Sequence, residues 1–541
     1  MFSPDHRPGA RSPVGGRLGL PRLARAALLS PLALLLLASA SARAEDAPKE
    51  PRRSFGDTAL TDGADSVTND KTVDLVDSVD FGDGEDTLVN NETITVGAGA
   101  TAPVDVSLLS LDALKNAGLI DLRNGHGGDV LRLSGDYVGS GSKARLGLDV
   151  GPGGVDRLIV GDVANGRTAV VLGGVNAKTA NLTGDKGPEL IEAGKESSAT
   201  AFFVENPEIG FVRYSLVFDP ETTRYRLKGV AGQRAYEMLK VSEGAGSVWR
   251  QSADAWSAHV ANLRDADRDA DGAGVWGQAF GGRVDRDDKV GAAAQAVEVD
   301  YRQTTYGGQF GVDLINAGQG DARILLGLTG GYADSKMRFS GLAGQAVKLR
   351  AANIGGYLAM ARGGYFLNAL AKVDRQSIKA RNGPDAIDLD FDGTSYGAQI
   401  EAGARAENDG LVYENLLALT YVSTRLDDTA VFAQRLDFDR ASGFVAKAGV
   451  RGVLNSEALG GLFSTYGAAF VVHDFTVKNG LALIGGDQVE HLSRDGGRTY
   501  GQITAGLGYR AGGVSTFVEA TGENGGGRAG GTLRLGARVG F

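Results

Sequence analysis

Cysteine is absent from this 541-residue chain. Without it there is no disulfide framework, and stability has to come from chain length and backbone pairing. Apart from one stretch near the N-terminus, no segment approaches the ~20 apolar residues of a membrane-spanning helix. Cationic excess is missing as well: 56 Lys and Arg face 66 Asp and Glu, and the net charge of −10 argues against nucleic acid as a partner. Histidine is scarce, 5 in all. What is abundant is glycine, 82 residues, which suits strands, turns and close backbone approaches. Hydrophobic content of 42% is ordinary. A β-barrel can hide in such a composition, because lumen-facing and lipid-facing residues alternate and average out.

The two ends are the most legible parts. Arg7, Arg11, Arg17, Arg22 and Arg25 precede an apolar run from Ala26 to Ala40, and Ala42-Arg43-Ala44 follows as a small-x-small cleavage site. This is the layout of a secretory signal peptide, with a mature start expected near Glu45. At the other end, Leu533, Leu535, Ala537, Val539 and Phe541 share one parity, and Thr532, Arg534, Gly536, Arg538 and Gly540 the other. A period of two predicts a strand with an apolar and a cationic face. In a transmembrane barrel the first face meets lipid and the second a wet lumen.

Between the ends the chain divides in texture. Residues 45–56, charged and carrying Pro48 and Pro51, read as a disordered leader. Gly63–Val73 then aligns with Gly84–Ile94 at an offset of 21 residues, the signature of a stacked solenoid. Short apolar strands follow at Asp129–Leu133, Ala144–Val150, Arg157–Val160 and Thr168–Leu172, so 57–232 predicts a parallel β-helix. Tyr214–Phe218 and Arg224–Leu227 read as a hairpin capping its end. From 233 to 271 a helical period takes over in Val248, Trp249, Trp256, Val260 and Leu263, interrupted early by Gly244 and Gly246. The helix begins in earnest near Ser247, and Ser247 to Asp265 spans about 28 Å, near the ~30 Å of a hydrocarbon core. Residues 272–541 supply about twelve strands of roughly ten residues, the length of a tilted spanning strand. Tyr365, Leu367, Ala369, Ala371 and Val373 oppose Asn368, Lys372 and Asp374, for example. Tight connections (362–364, 407–410) alternate with long charged ones (285–302, 425–442), as expected of an outer-membrane barrel.

These pieces, in this order, resemble the autotransporter family of Gram-negative type V secretion proteins. Gly274-Val-Trp-Gly-Gln-Ala-Phe-Gly281 looks like the opening strand of the family's translocator barrel, and Thr305–Leu314 resembles its second strand, with a Gly-x-x-x-Gly-x-Asp pattern. The last strand, through Leu533, Leu535, Val539 and Phe541, resembles the signal read by the outer-membrane barrel assembly machinery. Asp129–Val175 resembles the junction region that folds first. The resemblance implies an all-β chain: a short parallel β-helix passenger, a helix in the barrel lumen through Trp249, Trp256, Val260 and Leu263, and an antiparallel transmembrane β-barrel. It implies an outer-membrane location with the passenger on the cell surface, exported C-terminus first. Expected partners are outer-membrane lipid, the assembly machinery, and an extracellular or host-surface ligand. Some members cut themselves in the helix at adjacent Asn residues; here Ala261-Asn262-Leu263 has a single Asn, which predicts an intact chain.

Chemistry in the passenger is sparse. His126, its one histidine, lies among glycines in Asn124–Asp129 and reads as an exposed turn residue. No serine stands in a block that would nominate a triad, and Gly393-Thr-Ser-Tyr-Gly397 opens a barrel strand instead of a nucleophile elbow. We therefore expect no enzyme and no cofactor. Gly82-Asp-Gly-Glu-Asp-Thr-Leu88 offers Asp83, Glu85 and Asp86 as weak calcium ligands, but it lacks the tandem copy such sites require. Two functions fit: a structural or adhesive surface autotransporter, and an outer-membrane channel with a periplasmic N-terminal domain.

Overall fold

The structure, a computed structural model, describes residues 50–265, 272–290, 296–341, 345–494 and 496–541, with backbone alone at 476–477. The expected signal peptide, residues 45–49 of the expected leader and the end of the 233–271 linker lie outside the described residues. Residues 50–56 do not form a disordered leader. The backbone of Arg52 bonds Ser78 and Asp80, Ser54–Phe55 pairs with Thr58–Ala59, and Phe55 is buried. One apolar anchor is enough to tie this segment onto the first coil.

The passenger is a parallel β-helix with three stacked sheets. The 21-residue repeat is its first step: Ser66, Val67, Thr68 and Asn69 pair with Thr87, Leu88, Val89 and Asn90. At the matching position of successive coils stand Asn69, Asn90 and Asn116, all buried. The Asn69 amide donates to Asn90 at 2.8 Å, Asn90 to Asn116 at 2.8 Å, and Asn116 to the Tyr137 hydroxyl at 3.0 Å, which reaches Thr168. Each Asn also donates to a backbone carbonyl of the next coil, at Thr93, Leu119 and Arg145. A polar group can be buried here only because its neighbour one coil away satisfies it. The hairpin Val212–Asp219 with Arg224–Ala231 pairs antiparallel to Glu189–Glu192 and closes one sheet, as the sequence predicted.

Two helices follow, α1 (Gln233–Leu239) and α2 (Val241–Asp265). Gly244 and Gly246 lie inside α2 and do not interrupt it. A Cβ on Gly244 would stand 2.3 Å from the Met337 sulfur, so this glycine lets the helix touch the barrel wall.

The barrel is closed and antiparallel. Its strands are β1 (Gly274–Arg286), β2 (Tyr301–Gln319), β3 (Ala322–Phe339), β4 (Ala346–Arg362), β5 (Tyr365–Asn382), β6 (Ile387–Asn408), β7 (Leu411–Leu426), β8 (Ala441–Ala458), β9 (Gly461–Lys478), β10 (Arg498–Ala511), β11 (Val514–Gly525) and β12 (Arg528–Gly540). β1 pairs with β12 from Gly274↔Gly540 to Arg286↔Arg528, which closes the ring. Most strands run longer than predicted, because they continue past the apolar band toward the long loops. One rim has two-residue turns, among them Gly363-Gly364, Asp409-Gly410 and Leu459-Gly460, each with both residues at positive φ as type I′ hairpins require. The other rim carries the loops 287–300, 427–440 and 479–497. Thr429–Val431, Gln434–Phe438, Gly480–Gly485 and Gln488–Ser493 build a four-stranded sheet there.

Two measurements follow for the passenger. Asn90→Ala takes one hydrogen-bond partner each from the Asn69 amide and the Asn116 side-chain oxygen, and should cost about 1–3 kcal/mol, read as a lower melting temperature by circular dichroism. Asp156 accepts three backbone N–H bonds, from Gly128, Asp129 and Asp149, yet burial pushes its carboxyl up to about 6. An unfolded Asp titrates near 4, so its contribution is full below about 4 and is lost as pH rises through about 6. The melting temperature should fall between pH 5 and pH 7.5, and Asp156→Asn should flatten that slope.

Candidate functional site

The site is the barrel lumen, which α2 fills. Lumen-facing positions of the strands were expected to be polar and wet, and many are instead apolar and pressed on the helix. Trp249, Trp256, Val260 and Leu263 are buried, and all four pack in one cluster with Trp276, Leu325, Tyr357, Leu370 and Val422. The Trp249 indole N–H donates to the Lys372 carbonyl at 3.2 Å, and the Lys372 ammonium lies 4.4 Å above its ring. A Cβ on Gly397 would come within 2.9 Å of that ring, so a glycine makes the room. The cavities left beside the helix measure about 60 and 70 Å³, room for a few waters each.

Polar contacts set the height and rotation of α2. Level with Gly274 at the start of β1, Asp313 of β2 is fully buried. It accepts from the Tyr357 hydroxyl at 2.6 Å and from Arg538 Nε at 2.7 Å, and its Oδ1 lies 3.1 Å from His259 Nε2 of the helix. His259 stacks on Trp276 at 4.3 Å, and the Trp276 indole donates to Tyr357 at 2.8 Å. The Asp313 carboxylate thus joins the helix to the second, fourth and last strands across the seam that closes the barrel, and Trp276 ties in the first strand through His259 and Tyr357. Two residues earlier in the helix, Ser257 donates to Glu401 at 2.6 Å and accepts from Gln399 at 2.7 Å. At the C-terminal end of α2, Asp265 pairs with Arg451 and with Arg405 at 2.8 Å, while Glu414 binds Arg405, Arg451 and Arg264. Arg405 and Glu414 flank the short turn Asp409-Gly410. At the N-terminal end, Lys240 pairs with Asp288, and Arg494 with Glu243 at 2.9 Å. Asp288 and Arg494 belong to the long loops. The helix therefore enters at the long-loop rim and ends near the short-turn rim.

The passenger sits at the long-loop rim. Gln434 donates to the Ala180 carbonyl at 2.6 Å, Glu490 accepts from the Ala231 N–H at 2.6 Å, and Asn479 donates to the Leu239 carbonyl at 3.1 Å. Leu436, Leu481, Leu483 and Leu492 of the loop sheet belong to the same buried cluster as the passenger core.

Of the other predicted residues, Leu533, Leu535, Val539 and Phe541 point outward on β12, between 45% and 76% exposed. Arg534 and Arg538, on the opposite face, do not meet a wet lumen: they are buried against Glu519 and Asp313. Asp83 and Glu85 are exposed, whereas Asp86 is buried with one oxygen on the Asp65 N–H, so the three carboxylates diverge. Among the described residues no three His, Asp or Glu side chains gather as a metal site. Sequence reading missed His259, Tyr357, Arg405, Glu414 and Arg451. Their only signal is a titratable or polar residue on the lumen parity of a strand or on the helix.

A closed antiparallel barrel with outward apolar residues and a helix threaded through its lumen defines an outer-membrane translocator. Residues 275–521 match the family described as Autotransporter beta-domain. Among solved structures, the β-domain of the Bordetella autotransporter BrkA is 18% identical with a TM-score of 0.42, over 50% of this chain and 100% of that one. The transport unit of AIDA-I from Escherichia coli is 17% identical with a TM-score of 0.42, over 51% and 92%. The translocator domain of NalP from Neisseria meningitidis is 14% identical with a TM-score of 0.40, over 56% and 99%. No match was found among curated proteins.

The Asp313 hub yields a direct test. Asp313→Ala leaves Arg538 buried without its carboxylate, a loss of about 3–5 kcal/mol. The temperature at which the barrel converts from its fast-migrating to its denatured form on a gel should drop by many degrees, and Asp313→Asn should drop it less.

Proposed function

We propose that this autotransporter displays its N-terminal β-helix on the cell surface as a structural or adhesive, non-enzymatic passenger, and keeps it attached. The observation that supports this reading is the polarity of the threaded helix. In outer-membrane barrels the short turns face the periplasm and the long loops the exterior. The passenger docks on the long loops, and α2 leads from it inward. The exposed apolar face of β12, ending in Phe541, is the surface we assign to the assembly machinery. A β-helix suits export, because each coil needs only its neighbour to fold. Coil-by-coil folding outside the cell would oppose backsliding.

The passenger offers loops and sheet faces to an extracellular or host-surface ligand, and we assign it no chemistry. His126, the residue that an enzyme reading would need, stands in an exposed turn where its N–H bonds only Asn124. Attachment follows from the helix: its one Asn, Asn262, donates to the Ala258 carbonyl at 2.8 Å and so binds its own helix.

Protease added to intact cells should digest residues 57–232 without disrupting the membrane; protection until permeabilisation would place that domain in the periplasm and favour the channel reading. Immunoblots of outer membranes should show the passenger and barrel in one chain. A lone C-terminal fragment of about 30 kDa, the size of a twelve-strand barrel of this strand length, would contradict attachment.

A further inference from the structure

The lipid-facing side of the barrel carries a feature that translocation does not use. On β3 the outward residues Ile324, Leu326, Leu328 and Tyr332 run for nine positions, the length of a membrane crossing. Beyond Tyr332, and beyond Tyr306 on β2, the outward positions turn cationic. Arg283, Arg302, Lys336, Arg338, Lys348 and Arg350 stand on the loop side of the first four strands, against only Asp285 and Asp334. Asp285 is shared by Arg283 at 2.9 Å and Arg302 at 2.6 Å, and Asp334 by Lys348 at 3.2 Å and Arg350 at 3.4 Å. Lys336 and Arg338 have no carboxylate partner among the described residues. The nearby undescribed segments 291–295 and 342–344 contain no acidic residue. The neighbouring strands differ: Arg375, Lys379 and Arg381 of β5 are matched one to one by Asp392, Asp390 and Asp388 of β6. So this sector carries a surplus of positive charge that β5 and β6 lack, in a chain whose net charge is −10.

That sector has a groove beneath it. Outward residues of β1 are small, and the Tyr306 ring lies over Gly281, where a Cβ would come within 2.9 Å of it. With Ala279 and Gly281 as floor and Tyr306, Leu533 and Leu535 as walls, an open groove of about 1100 Å³ runs up to Arg283, Arg302, Lys336 and Arg338, with Asp334 the one carboxylate on its lining. Its lower part is apolar at acyl-chain depth, and its upper part, four cations against the Asp334 carboxylate, is net cationic at head-group depth.

We infer that this seam groove binds an outer-leaflet lipid with a phosphorylated head group, its acyl chains along β1 and β12 and its phosphates on Lys336, Arg338 and Arg302. Phosphate is the matching chemistry because it offers several acceptor oxygens to clustered guanidinium and ammonium groups, and cations at a membrane surface attract anionic lipid. The site lies at the closing seam, so a bound lipid would brace the β1–β12 junction from outside, on the long-loop side of Asp313. This inference rests on the long-loop rim facing outward, which the protease experiment tests separately.

The test uses the full chain in detergent, titrated with bisphosphorylated lipid A and with its dephosphorylated form, with binding read by native mass spectrometry. The Lys336→Gln/Arg338→Gln double variant removes two exposed cations, and unchanged heat-modifiable migration on a gel verifies its barrel. The wild type should prefer the phosphorylated lipid, and the double variant should bind it on the order of thirtyfold more weakly. Equal affinity for both lipids, or equal affinity of both proteins, would overturn the assignment. Lipid binding retained in a chain whose passenger proves protected from protease would leave the groove standing and reject the orientation instead.

Discussion

A hydrocarbon core offers no water to an unpaired backbone group, so a spanning sheet has to close on itself. Here closure is the thirteen-pair register of β1 on β12, from Gly274↔Gly540 to Arg286↔Arg528, and the rest of the molecule is arranged around it. Closing the ring creates a lumen, and that lumen must be filled or wet. This chain fills it with α2, which explains why Trp276, Phe280, Tyr357 and Leu370 face inward where a porin would place polar residues. Asp313 is the point where filling and closure meet: its carboxylate holds Arg538 of the last strand, Tyr357 of the wall and His259 of the helix. Its desolvation is tolerable only because each oxygen has a partner.

The same logic extends outward. The helix that plugs the lumen continues through α1 into the last coils of the passenger, and the loop sheet at 429–493 lends Leu436, Leu481, Leu483 and Leu492 to the passenger core. The β-helix leaves its end open, and an exposed parallel edge invites pairing with other chains. The hairpin 212–231 covers part of that edge. Inside the passenger the Asn ladder performs the task that Asp313 performs in the barrel: it joins successive units through buried polar groups that satisfy one another.

Much of this was legible in the residues. Twelve strands, the threaded helix and the 21-residue step can be read from periodicity, because burial on one face imposes period two on strands and 3.6 on helices. The autotransporter resemblance followed from β1, β2 and the terminal strand. What escaped was set by contacts distant in sequence. Gly244 looked like a helix breaker, since its reason, the sulfur of Met337 some ninety residues away, is not local. Arg534 and Arg538 looked like lumen-wetting cations, since Glu519 meets Arg534 only in the register of the β11–β12 hairpin and Asp313 meets Arg538 only on closure. The leader at 50–56 looked disordered because its charge outweighs the single anchor, Phe55. The ion network of Asp265, Glu414, Arg405 and Arg451 gathers residues up to 186 positions apart, which no spacing rule reports.

The claim on which the others depend is that α2 occupies the lumen of the closed barrel in the membrane. Planar-bilayer conductance measures this without labels: the full chain is compared with residues 272–541 refolded alone. The account predicts that the full chain stays essentially closed and that the barrel without its helix opens as a stable, ion-conducting pore. Equal conductance of the two proteins, whether both open or both closed, would contradict it.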